Sequence, residues 1–133
     1  MQRVLVADPD TDTVNLIAEL LKDEGFVPIR YPGWLLSAAC IAQAQADMLV
    51  LGLGPGDASA ALDLVGDLRR DSHITGLPVI ILSTDNLLLA RMAQPFHDLG
   101  CVALTKPFEL DDFLSSIRKS LGSSHGLMQF LAC

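Results

Sequence analysis

Three short apolar runs in this 133-residue chain lead to a polar or reactive residue at their end. Val4-Leu5-Val6-Ala7 runs into Asp8, and Val79-Ile80-Ile81-Leu82 into Ser83-Thr84. Val102-Ala103-Leu104 reaches Lys106-Pro107-Phe108. A carboxylate, a hydroxyl and an ammonium brought together make a pocket for a charged group. The remaining run, Met48-Leu49-Val50-Leu51, ends in Gly52, which contributes no side-chain group. What such a pocket can do turns on a glycine at its centre.

The elements that would position these residues alternate between strand-like and helix-like, the signature of βαβ units and a parallel sheet. Strands are expected at about 3–7, 27–31, 48–51, 79–82 and 101–104. The first helix, capped by Thr11 or Asp12, carries Val14, Ile17 and Leu21 inward and stops at Gly25. The second is expected at about 34–45, after Pro32-Gly33. The third, at about 59–70, turns Leu62, Val65 and Leu68 inward. The fourth is capped by Asp85 or Asn86, and Pro95 should end or kink it, because proline removes a helical hydrogen bond. The fifth starts at Glu109 with Leu110, Phe113, Leu114, Ile117 and Leu121 as its stripe and ends at Gly122. Residues 1–121 thus read as one doubly wound α/β domain, and 122–133 as a tail or the start of a linker. In such a sheet the strand C-termini gather along one edge, where ligands bind, so Asp8, Gly52, Ser83 and Lys106 should meet there.

Composition narrows the function classes. A net charge of −7 and a pI near 4.6 argue against direct nucleic-acid binding, which calls for a basic stripe. Half of the residues are apolar and the mean hydropathy is +0.40, yet no apolar stretch approaches the roughly 18 residues that span a bilayer. The N-terminus runs straight into a strand rather than a signal peptide, so a cytoplasmic protein without membrane partners is expected. Cys40, Cys101 and Cys133 show no metal-binding spacing and read as reduced thiols, the first two as small core residues.

The order and spacing of Val4-Leu5-Val6-Ala7-Asp8, the run ending at Gly52, Pro78-Val79-Ile80-Ile81-Leu82-Ser83 and Lys106-Pro107-Phe108 resemble the receiver domain of bacterial two-component response regulators. The likeness spans about residues 3–121 and implies a CheY-like, flavodoxin-like sheet of strand order 2-1-3-4-5. It implies that Asp8 matches the first of two acidic residues that hold Mg²⁺. Ser83 matches the hydroxyl that bonds the phosphoryl group, Lys106 the lysine that pairs with it, and Pro107 the proline that follows.

Three departures set this chain apart. Gly52 replaces the acceptor aspartate, Pro9 the second acidic residue, and Ala103 the aromatic that rotates on activation. Pro55 also follows Gly52 by one residue fewer than the pattern. The expectation is a degenerate pseudo-receiver: not an enzyme, with no metal or cofactor, its degenerate phosphorylation pocket made of Asp8, Pro9, Gly52, Ser83, Lys106 and Pro107. Asp8 and Lys106 should form a structural ion pair.

Function would then reside in protein contacts. Leu87-Leu88-Leu89 cannot all face the core, since helical neighbours are about 100° apart. With Ala103 they point to a partner or a homodimer across the helix 4, strand 5 and helix 5 face. The uncharged stretch from Trp34 to Ala44 is a second such surface. Two rival readings stand beside this one. A substitute carboxylate among Asp10, Asp12, Asp57 and Asp85 takes the phosphoryl group, or the Gly52–Gly56 loop cradles an anion or nucleotide through its amides.

Overall fold

The computed structural model describes residues 2–32, 37–54, 56–106 and 108–132, with side chains as far as Leu121, Pro32 excepted. Strands and helices alternate throughout: β1 (Arg3–Asp8), α1 (Thr11–Asp23), β2 (Val27–Pro32), α2 (Ala38–Gln43), β3 (Met48–Leu53), α3 (Ala58–Arg70), β4 (Val79–Ser83), α4 (Asn86–Asp98), β5 (Cys101–Thr105) and α5 (Leu110–Ala132). All strand pairs are parallel, in the order β2-β1-β3-β4-β5. This is the expected flavodoxin-like arrangement.

The central strands are continuous apolar runs because they are covered on both faces. Alternation along each strand splits their side chains into two cores. Leu5, Leu49, Leu51, Val79 and Ile81 pack with the buried residues of α3 and α4. Val4, Val6, Met48, Val50, Ile80 and Leu82 pack with α1 and α5 on the opposite face. Along β1 and β3, Asp8 and Gly52 continue this second row, so both face the α1/α5 side at the C-terminal edge.

Local chemistry corrects several boundaries. Asp10, not Thr11 or Asp12, caps α1: its Oδ1 accepts from the Asp12 amide at 3.2 Å and its Oδ2 from the Thr13 hydroxyl at 2.8 Å. The second helix covers only Ala38–Gln43, started by the Ser37 hydroxyl, while Trp34, Leu35 and Leu36 lie outside the described residues. Pro95 does not end α4, which runs to Asp98 before Gly100 turns the chain at φ +76°. Gly122 does not end α5, whose helix continues to Ala132, since one internal glycine costs only about 1 kcal/mol. In α3, Leu64 is buried with Val65 and Leu68 whereas Leu62 is half-buried. Leu110, expected in the α5 stripe, is exposed, and Cys40 is half-buried rather than in the core.

At the N-terminal edge of the sheet, one guanidinium ties three chain segments together. Arg69, near the end of α3, donates from Nε to the Leu99 carbonyl at 2.7 Å. Its Nη1 donates to the carbonyls of Leu77 at 2.6 Å and Thr75 at 3.1 Å. The Thr75 hydroxyl returns a bond to the Arg69 carbonyl. Beside it, burial pushes the Cys101 thiol up to about 11, partly offset by the Arg69 charge.

Candidate functional site

The C-terminal edge carries the residues that the runs deliver. β1 and β3 pair in register through Ala7 and Leu51, so Asp8 and Gly52 are side by side at the next step. Asp8 is only 2% exposed. Its Oδ2 accepts from Lys106 Nζ at 2.6 Å, and its Oδ1 accepts from the Asp10 amide at 2.8 Å. The lysine reaches this partner because β5 ends one residue earlier and its amide is fixed on the Ser83 carbonyl at 2.7 Å. The expected pair between Lys106 and Asp8 is therefore present, with the lysine side chain 15% exposed and the aspartate 3%.

Gly52 is buried, and its backbone is not in the left-handed region that demands glycine. Space makes the demand instead. A Cβ built on residue 52 would land inside the Asp8 carboxylate, overlapping Oδ2 and Cγ, and stand 3.0 Å from the Asp8 Cβ. The carboxylate of Asp8 thus occupies the volume into which a side chain on residue 52 would grow. The sequence carries no sign of this overlap, because it depends on the register between two distant runs.

Ser83 is equally buried, and its Oγ accepts from the Asp85 amide at 3.1 Å. Pro9 is exposed on the rim, and Pro107 lies outside the described residues. A cleft of about 630 Å³ opens over this edge, with Asp8, Asp10, Ser83, Asp85, Leu88 and Lys106 among its lining residues. Its charged lining is mostly acidic: Asp8, Asp10 and Asp85 face a single ammonium.

The donor set does not fit Mg²⁺, which seeks octahedral oxygen coordination. Pro9 and Gly52 supply no side-chain oxygen, and the two oxygens of Asp8 already hold Lys106 and the Asp10 amide. Among the described residues, no three His, Cys, Asp or Glu side chains are grouped to hold a metal ion.

Three of the four candidate substitute carboxylates, Asp10, Asp57 and Asp85, have local duties. Asp10 caps α1, and Asp85 caps α4 through the Leu88 amide at 2.9 Å. The Asp57 Oδ2 accepts from the Gly54 amide at 2.7 Å, so one of the loop amides that would cradle an anion already holds a carboxylate. Gly56, at φ +81°, turns this loop into α3.

On the α4 and β5 side, the three leucines separate as helical geometry requires. Leu89 is buried, Leu88 is half-buried and Leu87 is 72% exposed. Ala103 and Val102 are exposed on β5, and Leu110 at the start of α5 is exposed too. Among the described residues, no helix is long and apolar enough to cross a membrane.

No protein-family model matches the sequence, and no curated protein matches it either. Solved structures do. A sensor protein from Polaromonas is 23% identical with a TM-score of 0.71, over 92% of this chain and 97% of that one. The chemotaxis response regulator CheY4 of Vibrio cholerae is 20% identical with a TM-score of 0.71, over 90% and 98%. A response regulator receiver modulated diguanylate cyclase from Pelobacter carbinolicus is 19% identical with a TM-score of 0.72, over 97% and 99%. At such identities the likeness is one of architecture, and the chain has the five-stranded, doubly wound fold of CheY-like response regulator receiver domains.

Proposed function

We propose that this chain is a receiver-fold signalling module that takes up no phosphoryl group and acts by protein contact. The observation that carries the reading is the state of the C-terminal edge. Where the receiver pattern has an acceptor carboxylate on β3 there is Gly52, and the lysine is held by Asp8 from β1. The fold supplies the framework of a phosphorylation switch, while the residues at its centre supply neither acceptor nor metal ligands.

Incubation with acetyl phosphate and Mg²⁺, followed by intact mass measurement, tests this directly. The expected result is no acid-labile addition. A stoichiometric gain of one phosphoryl group overturns the reading, and its position then identifies the substitute acceptor, with Asp57 the first to be mapped.

The contact surface favoured here is the face of α4, β5 and α5. Leu87 stands out from α4, and the exposed Ala103 leaves β5 without an aromatic that could report events in the cleft. An exposed apolar set of this kind marks association. Leu87→Glu should weaken self-association or partner binding in sedimentation while leaving the melting temperature within about 2 °C, since surface changes are usually within 0.5 kcal/mol. Unchanged association moves the contact elsewhere.

A further inference from the structure

We infer that Asp8 is a built-in occupant of the acceptor position, a contact by which the chain closes its own switch edge. The inference rests on the proposed non-phosphorylated reading and deepens it. Gly52 is more than a missing functional group: it is the space that Asp8 fills.

Two independent geometric facts support this. The first is volume. A Cβ at residue 52 coincides with the Asp8 carboxylate and stands in tight contact, at 3.0 Å, with the Asp8 Cβ, so the carboxylate has to leave its present place. The Asp8 side chain would have to rotate away, and its carboxylate is held at both oxygens. The second is bonding. Lys106 reaches across from the end of β5 to Asp8 at 2.6 Å, and the pair is largely withdrawn from water. A carboxylate on residue 52 would need the same place and the same ammonium. Two buried carboxylates beside one cation repel each other, so a carboxylate on residue 52 would compete with Asp8 for Lys106.

The edge is therefore closed without a ligand. The Asp8 carboxylate holds Lys106 and the start of α1 through the Asp10 amide, so the ends of β5 and β1 and the first turn of α1 are joined in one arrangement. A small anion entering the cleft meets an ammonium that is already neutralised. The module should be constitutive, its cleft indifferent to small phosphate or carboxylate ligands.

The test moves the carboxylate from one strand to the other. Melting temperatures are measured for the wild type, Gly52→Ala, Asp8→Gly and the double variant Asp8→Gly/Gly52→Asp, each with and without added sodium acetate. Gly52→Ala should melt roughly 5–10 °C lower, because the displaced Asp8 leaves Lys106 buried without its partner. Asp8→Gly should fall at least as far and regain part of the loss in acetate, whereas the wild type should not respond. The double variant should recover at least half of the loss, its carboxylate now coming from β3.

A neutral Gly52→Ala, or a double variant no more stable than Asp8→Gly, overturns the inference. If Asp8→Gly does not fold, Gly52→Ala is compared in the wild-type and Asp8→Ser backgrounds. The alanine should then be clearly more harmful where the Asp8 carboxylate is present, and equal harm in both backgrounds also overturns the inference. No phosphoryl donor enters these measurements, so failure here leaves the proposed function standing. Phosphoryl uptake by the wild type would sink that function without touching the volume conflict.

Discussion

Each edge of the sheet anchors a cation, and Arg69 and Lys106 are held by opposite means. At the N-terminal edge, Arg69 is bound by three backbone carbonyls, from Thr75, Leu77 and Leu99, joining the ends of α3 and α4 and the approach to β4. At the C-terminal edge, Lys106 is bound by a single side chain, Asp8, under an open cleft. The carbonyls belong to the chain whatever the residue type, so only a planar fork of donors can satisfy them together. The Lys106–Asp8 pair could be replaced as a unit. The first edge holds the fold together. The second is held by a charge pair that an apolar pair of similar volume could replace.

Single and double substitutions should separate the two edges. The largest effect is expected for Lys106→Met, about 3–5 kcal/mol, because it leaves the buried Asp8 carboxylate uncompensated. Arg69→Met should cost about 2–3 kcal/mol by stranding partly buried carbonyls. The decisive comparison is Asp8→Leu with Lys106→Met. An apolar pair of similar volume often replaces a buried ion pair at no cost, so this double variant should unfold in urea within about 1 kcal/mol of the wild type. If it is as damaged as Arg69→Met, the contrast between the edges collapses.

The smallest effect concerns Cys101 at the N-terminal edge. Burial raises its thiol from 9.0 to about 11 in the folded chain, with Arg69 pulling the other way. A raised folded value means that the contribution is intact below about 9 and fades as pH climbs to about 11. Between those limits the wild type should lose slightly more stability than Cys101→Ala. Parallel pH profiles for the two proteins would show that the thiol is not protected by the fold.

Most of the architecture was legible in the sequence. Apolar runs of four residues mark β1, β3 and β4 because parallel strands are covered on both faces, and strict alternation with helices leaves few topologies. Boundaries were less legible where a side chain competes with the backbone. Asp10 wins the cap of α1 because its side chain reaches both Asp12 and Thr13, a local geometry that residue type alone does not rank. Pro95 and Gly122 do not act as stops. A proline in the last turn of α4 and a lone glycine in α5 are tolerated where the chain does not need to turn. For the candidate site, the sequence pattern anticipates the pairing of Lys106 with Asp8 and the adjacency of Asp8 and Gly52. It does not anticipate the overlap of Asp8 with residue 52, since volume at a strand pair follows from register. The Arg69 clamp also escaped, because its partners are carbonyls, which every residue carries.

The crowding of Asp8 against Gly52 bears on how this sequence can change over time. Any glycine codon becomes an aspartate or a glutamate codon by one nucleotide substitution, so a carboxylate on β3 is mutationally near. It is structurally distant, because the newcomer would arrive in a volume already filled and beside a cation already engaged. The path to a two-carboxylate edge runs through an intermediate less stable than either end, or through a prior change at Asp8 that itself strands Lys106. With native stabilities of only about 5–15 kcal/mol, such a step is a barrier that selection seldom crosses. The contact makes the present arrangement easy to keep and a carboxylate at residue 52 costly to acquire.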